Sequence, residues 1–204
     1  MRRPAAIFIA LCLALAVAPG VSAGSGTTVD PSTLTPPPSG NFDLTCVNDG
    51  RAITCTGTEV QTFTDLNIGD SGLACGGRGI IDNGRQVRTG TFTYDLAGRA
   101  TRWFDRGTFD EVWHLDGSTS PTVRSSGNWS TVNDFAVPGD ITSRTRTYRG
   151  APHRVIGPRG LVYNDAGMVV LDWDESNILA LHGPHLEFTD FEAAIAGVCA
   201  AFAA

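Results

Sequence analysis

The sequence contains no lysine, and all fifteen of its basic residues are arginine. Two of these arginines precede Ala23, which leaves thirteen against 21 acidic residues in the rest of the chain. Binding to a nucleic acid backbone needs clustered positive charge, whereas these arginines are scattered through an acidic chain. Nucleic acid is therefore excluded as an expected partner.

Motifs of several enzyme classes are also missing. There is no G-x-S-x-G nucleophile elbow, and the glycine-rich stretch CGGRGII at 75–81 lacks the Lys-Ser/Thr ending of a phosphate-binding loop. No cofactor and no metal site is expected. These absences favour a protein that is not an enzyme.

Long apolar runs are missing except near the start. The cationic MRR is followed by an apolar run over residues 5–17, too short to span a bilayer, and then by VSA at 21–23, a small-x-small cleavage pattern. This order predicts a secretory signal peptide over residues 1–23, cleaved after Ala23. The mature protein is expected to be secreted and to have no membrane span.

Four of the five cysteines follow the predicted signal peptide: Cys46, Cys55, Cys75 and Cys199. An even number in an exported chain indicates two disulfides, for which three connectivities exist. We favour Cys46–Cys55 with Cys75–Cys199, since the first closes a short loop and the second ties a C-terminal helix to the body. A two-residue turn in the short loop would place Cys46 opposite Ile53, so this pairing requires a longer loop or a bulge.

Composition divides the mature chain into two parts. Residues 24–41 are mostly Gly, Ser, Thr and Pro and offer almost nothing to bury, which predicts a disordered leader. Residues 42–204 suit a single domain.

Short runs rich in Val, Ile, Thr and aromatic residues alternate with turn sequences between residues 42 and 186. The turn sequences include NDG at 48–50, DNG at 82–84 and PGD at 138–140. This pattern predicts a mainly β fold, an antiparallel meander that forms a barrel or a curled sheet or sandwich.

One C-terminal α-helix is predicted over about 189–203. Thr189 and Glu192 match a capping box, and Val198 belongs to an apolar stripe at helical spacing. A helix this short needs docking onto the rest of the fold, and a disulfide from Cys199 would provide it.

Histidines and nearby carboxylates are the candidates for catalysis. His182 and His185 flank a Gly-Pro pair before the predicted helix, and Asp172 and Asp174 lie at the end of a strand. Either histidine, or His114, would act as a general acid or base if a carboxylate lay within hydrogen-bond distance. The alternative, which we favour, is that these segments form a turn before the helix and a hairpin turn.

Two segments place aromatic or basic side chains on strand faces. Trp103 and Trp113 lie among charged residues, as in a ligand-binding face, although a hairpin packed on a core has the same pattern. Arg144, Arg146 and Tyr148 share one face and would bind an anion if that face lined a barrel. Otherwise these arginines would pair with acidic residues at the surface.

The chain resembles small exported actinobacterial proteins of unassigned function in its arginine-only basic set, its Ala-rich signal sequence, its repeated strands and its ending, DFEAAIAGVCAAFA at 190–203. This resemblance implies a β-rich exported protein and transfers no active site. The layout is also similar to that of lipocalin-like barrels, although FDL at 42–44 stands where those proteins have a Gly-x-Trp opening.

The function expected first is a secreted binding module for a small apolar or anionic ligand. One alternative is a surface or interaction protein without a small-molecule site, which an exposed apolar patch would indicate. The other is a hydrolase or isomerase, which a histidine and a carboxylate about 3 Å apart in a cleft would indicate.

Overall fold

The computed structural model describes residues 26–69 and 73–203, so the predicted signal peptide lies outside the described residues. The described elements are β1 (Thr27–Thr28), β2 (Asp43–Asn48), β3 (Ile53–Asn67), β4 (Ala74–Cys75), β5 (Arg78–Tyr94), β6 (Ala100–Leu115), β7 (Val123–Phe135), β8 (Arg144–Gly157), β9 (Gly160–Leu171), β10 (Ile178–His182), α1 (Leu186–Thr189) and α2 (Phe191–Phe202). Neither helix is long and apolar enough to cross a bilayer.

The strands form one antiparallel sheet in which neighbours along the chain pair with each other. The order is β1-β2-β3-β5-β6-β7-β8-β9-β10, and β4 lies beside the start of β5. Strands β1 and β10 are the two edges, so the sheet is open and curled rather than closed into a barrel. The predicted antiparallel meander with a C-terminal helix is confirmed in its curled-sheet form.

One predicted turn lies inside a strand. The sequence DNG at 82–84 belongs to β5, where it pairs with residues 111–113 of β6. A Cβ atom on Gly84 would lie only 2.5 Å from the carbonyl oxygen of Asp110, so the glycine allows close approach of two strands instead of a reversal. Asn83 accepts a hydrogen bond from the backbone N–H of Asp65 at an irregularity in β3.

The described part of the expected disordered leader, residues 26–41, is ordered. Strand β1 pairs with β2, and the Asp30 side chain caps a 3-10 turn over Pro31–Thr33. The physical reason for the difference is Leu34, which is 3% exposed and packs into the core. Leu34, together with Val29 packed against the same cluster and a few backbone hydrogen bonds, thus attaches a segment of disorder-prone composition.

Side chains alternate between two faces along the long strands, as expected for extended backbone. On β6, five residues with mostly buried side chains point to one side, which we call the inner face: Trp103, Asp105, Phe109, Glu111 and Trp113. Residues between them, such as Phe104 and Asp110, are exposed on the outer face.

Apolar side chains fill the two ends of the inner face. The first cluster consists of Leu34, Cys46, Ile53, Cys55, Phe92, Tyr94, Ala100, Trp103 and Phe135. The second cluster consists of Cys75, Ile80, Trp113, Val123, Val155, Val198, Ala201 and Phe202. Trp103 and Trp113 lie in different clusters because ten residues of strand separate them by roughly 33 Å. The middle of the inner face is left to polar and aromatic residues.

Both predicted disulfides are present. Cys46 and Cys55 lie directly opposite each other on β2 and β3, and residues 49–52 form the longer loop that this register requires. Cys75 and Cys199 join β4 to α2.

The predicted helix is α2, and its N-cap is one residue later than expected. The Asp190 carboxylate accepts the backbone N–H of Ala193 at 2.9 Å, while the Thr189 hydroxyl donates to the backbone oxygen of His185. Val198 and Phe202 bury the inner side of α2 in the second cluster. The helix thereby covers one end of the inner face.

Candidate functional site

A cavity of about 540 Å³ lies on the inner face between the two apolar clusters. Its volume falls within the range of small-molecule sites. Four aromatic side chains line it: Phe109, Trp129, Tyr148 and Phe188. They form two contacting pairs, because Phe109 is 5.8 Å from Trp129 and Tyr148 is 5.8 Å from Phe188 between ring centroids.

Glycines of the inner face let these rings lie against the sheet. A Cβ atom on Gly107 would lie 2.5 Å from the Trp129 ring, and one on Gly127 would lie 2.5 Å from the Phe109 ring. Each ring therefore occupies space that a side chain on the neighbouring strand would otherwise fill. The glycines are part of what shapes the cavity.

An ion triplet lies at the wall of the cavity, and two of its members, Arg88 and Asp105, line it. Arg88 places Nη1 3.0 Å from Oε2 of Glu59 and Nη2 3.2 Å from Oδ1 of Asp105. The Phe42 ring lies 4.9 Å from the same guanidinium. Burial raises the pKa of Asp105, although the charge and hydrogen bond of Arg88 act in the opposite direction.

A second cluster of polar side chains lies at the β9–β10 end of the cavity. Arg146 donates from Nε to Asn133 at 2.9 Å and from Nη1 to the Tyr148 hydroxyl at 3.1 Å, and it forms an ion pair with Glu175. Arg144 lies 3.6 Å from the same carboxylate. The predicted face of Arg144, Arg146 and Tyr148 is thus on the inner side of the sheet, and a carboxylate of the chain itself occupies it.

A histidine–carboxylate pair lies between the sheet and α1. His153 of β8 donates from Nδ1 to the Glu187 carboxylate, and both side chains line the cavity. The buried Asp165 accepts the backbone N–H groups of Leu186, at 2.7 Å, and of Glu187, at 3.0 Å. Asp165 therefore fixes the start of α1 and, with it, the position of Glu187.

Two inner-face carboxyl groups have raised pKa values. Burial raises the pKa of Glu111 to about 7, with a further contribution from the charge of Asp82. Burial also raises the pKa of Asp82 to about 6, and Oδ1 of Asp82 is buried without a hydrogen-bond partner in the described part of the chain. Glu111 lines the cavity and is partly protonated at neutral pH.

The predicted ligand-binding residues separate into two groups. Arg146 and Tyr148 line the cavity, and Arg144 lies beside them on β8. Trp103 and Trp113 are 3% and 5% exposed and pack in the two apolar clusters, so the core-packing alternative describes them.

The structure does not bring together the predicted catalytic residues. His114 lies on the outer face near Asn83, His182 is exposed on β10, and buried His185 contacts the backbone oxygen of His182 at 3.0 Å. Asp172 and Asp174 accept hydrogen bonds within the β9–β10 turn, from Asn177 and Ser176. The segments around His182–His185 and Asp172–Asp174 thus lie in or next to turns, as in the alternative interpretation of the sequence.

Sequence analysis did not identify most of the residues that line the cavity. Glu187 and His153 are 34 positions apart and meet only through the packing of α1 on β8 and β9. Arg88, which also lines the cavity, belongs to no motif either. The available signal was the alternation in β6, which places Asp105 and Glu111 on the same face as apolar residues.

Comparison with protein-family models, with curated proteins and with solved structures found no match. The fold and the site themselves define the class: an open, curled antiparallel sheet with a polar and aromatic cavity on its inner face, packed at both ends and covered at one of them by a disulfide-tethered helix.

Proposed function

We propose that this protein is an exported small-molecule binding protein whose ligand occupies the inner-face cavity. The observation that carries the proposal is that the inner face is packed at both ends but open and lined by aromatic and polar side chains in its middle. Two disulfides support function in an oxidising environment, in agreement with the signal-peptide pattern.

Charge pairing in the cavity favours a polar ligand that also has a ring or another apolar face. Arg88 is paired with Glu59 and Asp105, and Arg146 is paired with Glu175. An anionic ligand would have to displace Glu175 from Arg146. A purely apolar ligand would remove solvent from these charged groups and offer no hydrogen bond in return. A ligand that stacks on the aromatic pairs and forms hydrogen bonds with the surrounding polar groups matches both the apolar and the polar parts of the cavity wall.

The experiment compares a variant that fills the cavity with one that leaves it open. Thr131 is 3% exposed and lines the cavity, so Thr131→Phe should fill it. Thr108 is exposed on the outer face, so Thr108→Phe is the matched control. Fractions of an extract from the producing cells are screened for an increase in the melting temperature of the mature protein.

A fraction that stabilises the wild type and Thr108→Phe but not Thr131→Phe supports the proposal, since a ligand stabilises only the state that binds it. Equal effects on all three proteins, or no effect of any fraction, contradict it. Near-UV circular dichroism establishes that Thr131→Phe retains native packing.

A further inference from the structure

His153 has the surroundings of a positioned base. Its Nδ1 atom donates to Glu187, and its ring contacts the Phe109 ring edge-to-face at 5.0 Å between centroids. These two contacts fix the ring from two directions. The side chain is 29% exposed and lines the cavity, and Nε2 has no hydrogen-bond partner in the described residues.

Glu187 is itself held in place. Asp165, which is fully buried, accepts the backbone N–H groups of residues 186 and 187 and fixes the first turn of α1. The chain from Asp165 to Glu187 to His153 thus orients an imidazole whose second nitrogen is left for a bound molecule. A nucleophile or base oriented by a third group is a recurring arrangement in catalysis.

We propose that the cavity is a proton-transfer site in which Nε2 of His153 removes a proton from a carbon atom next to a carbonyl or imine group of the bound molecule. Glu187 is the positioning residue. The inference rests on the proposed function, since it requires a molecule in the cavity.

The step needs no co-reactant. The C–H bond breaks, the proton bonds to Nε2, and the electron pair moves into an enolate or, from an imine, an aza-enolate anion. The carboxylic acid of Glu111, on the same inner face, donates a hydrogen bond to the atom that gains negative charge. Where a C=C bond adjoins the carbon that loses the proton, the electron pair extends over it, and return of the proton from the imidazolium to the far carbon of that bond gives the conjugated isomer of the starting molecule.

The charges around His153 come from three elements. Burial of the ring acts to lower the pKa of His153, but the hydrogen bond and charge of Glu187, with the charges of Glu111 and Asp165, outweigh it and raise this pKa. Asp82 lies near Glu111 and raises its pKa in turn. The charge of a protonated His153 lowers the pKa of Glu111 in turn, so the two groups are coupled and share a proton near neutral pH. The reactive form is the one in which the proton lies on Glu111 and the imidazole is neutral.

The probe is 5-nitrobenzisoxazole, whose elimination reports on a positioned base. The base takes the C3 proton, the N–O bond breaks, and coloured 2-cyano-4-nitrophenolate forms. We expect the full mature protein to accelerate this reaction roughly 100-fold over free imidazole at equal concentration, the lower range for a positioned base. His153→Gln should reduce the rate to that of imidazole or below, and the control His114→Gln, on the outer face, should not change it.

Glu187→Gln separates positioning from a purely structural role. Loss of the anionic partner lowers the pKa of His153, so the rate should reach its plateau at lower pH and with a smaller maximum. A structural defect would reduce the rate at every pH without moving the profile.

A rate no greater than that of imidazole, or equal rates for wild type and His153→Gln, overturns the inference. Equilibrium dialysis with uncharged 1,2-benzisoxazole, the probe without its nitro group, then distinguishes two failures. If the wild type binds this compound and Thr131→Phe does not, the proposed binding function stands and only the catalytic step fails. If the wild type does not bind it, both the binding function and the catalytic step lose support. Circular dichroism of His153→Gln shows that the variant is folded.

Discussion

Arg88 and Glu59 lie directly opposite each other on β5 and β3, with 3.0 Å between Nη1 and Oε2. Asp105 on β6 accepts from the other side of the same guanidinium. Three strands are therefore joined through one cation that lines the cavity. Both carboxylates are almost fully buried, and the charge of Arg88 offsets the free-energy cost of removing them from water.

Replacing Arg88 with methionine should destabilise the fold strongly. The change leaves two buried carboxylates without a cation, and we expect a loss of about 3 kcal/mol in the free energy of unfolding, measured with urea at pH 7. Arg124→Met removes an exposed pair with Asp110 and should cost under about 1 kcal/mol. Equal losses in the two variants would show that the triplet has no special role.

Asp165→Ala should loosen the attachment of the C-terminal helices. It leaves the N–H groups of Leu186 and Glu187 without their buried acceptor, at a cost of about 2 kcal/mol. Hydrogen exchange should accelerate in both α1 and α2. Asp190→Ala, which removes only the N-cap of α2, is the comparison, and its effect should be confined to the first turn of that helix.

Glu111 should make stability decrease as pH rises. Burial raises the pKa of its carboxyl group from 4.5 to about 7, so between these values the folded protein retains a proton that the unfolded chain has released. The contribution of Glu111 to stability therefore falls as the pH rises from 4.5 to about 7, and it changes little at higher pH. Glu111→Gln should therefore be more stable than the wild type at pH 8, by about 2 kcal/mol, and no more stable at pH 4.

Urea unfolding at the two pH values measures this difference. Glu192→Gln, an exposed change on α2, should leave the pH dependence as it is in the wild type. The same loss of stability between pH 4 and pH 8 in Glu111→Gln would contradict the assignment.

The Cys75–Cys199 disulfide should hold α2 on the sheet. It closes a sequence separation of 124 residues, and its removal in Cys75→Ala/Cys199→Ala should cost about 4 kcal/mol by the loop-entropy model. Faster hydrogen exchange throughout α2 is the specific sign of this loss. Cys46→Ala/Cys55→Ala, at the opposite end of the inner face, should leave α2 protected, and exposure of α2 in that variant would argue against separate roles.

The fold was predictable because its determinants are local. Alternation along β6 and turn sequences between strands specify an antiparallel meander. The four cysteines allow only three disulfide connectivities, so a pairing could be chosen from the sequence. Residues 26–41 show the limit of composition, since buried Leu34, partly buried Val29 and the pairing of β1 with β2 attach a segment that is otherwise rich in Pro, Ser and Thr.

The site was less predictable because it depends on where the inner face is packed and where it is open. Alternation places Trp103 and Glu111 on the same face, but only the assembled sheet shows that Trp103 is in a cluster and Glu111 is in the cavity. His153 and Glu187 meet through α1, whose position is set by the buried Asp165.

The central claim is that the inner-face cavity holds a small molecule, and native mass spectrometry of protein recovered from the producing organism tests it most directly. The account predicts an additional mass on the wild type that persists under gentle ionisation and is absent from Thr131→Phe prepared in the same way. The bare mass of the mature chain for both proteins, or the same additional mass on both, would contradict it.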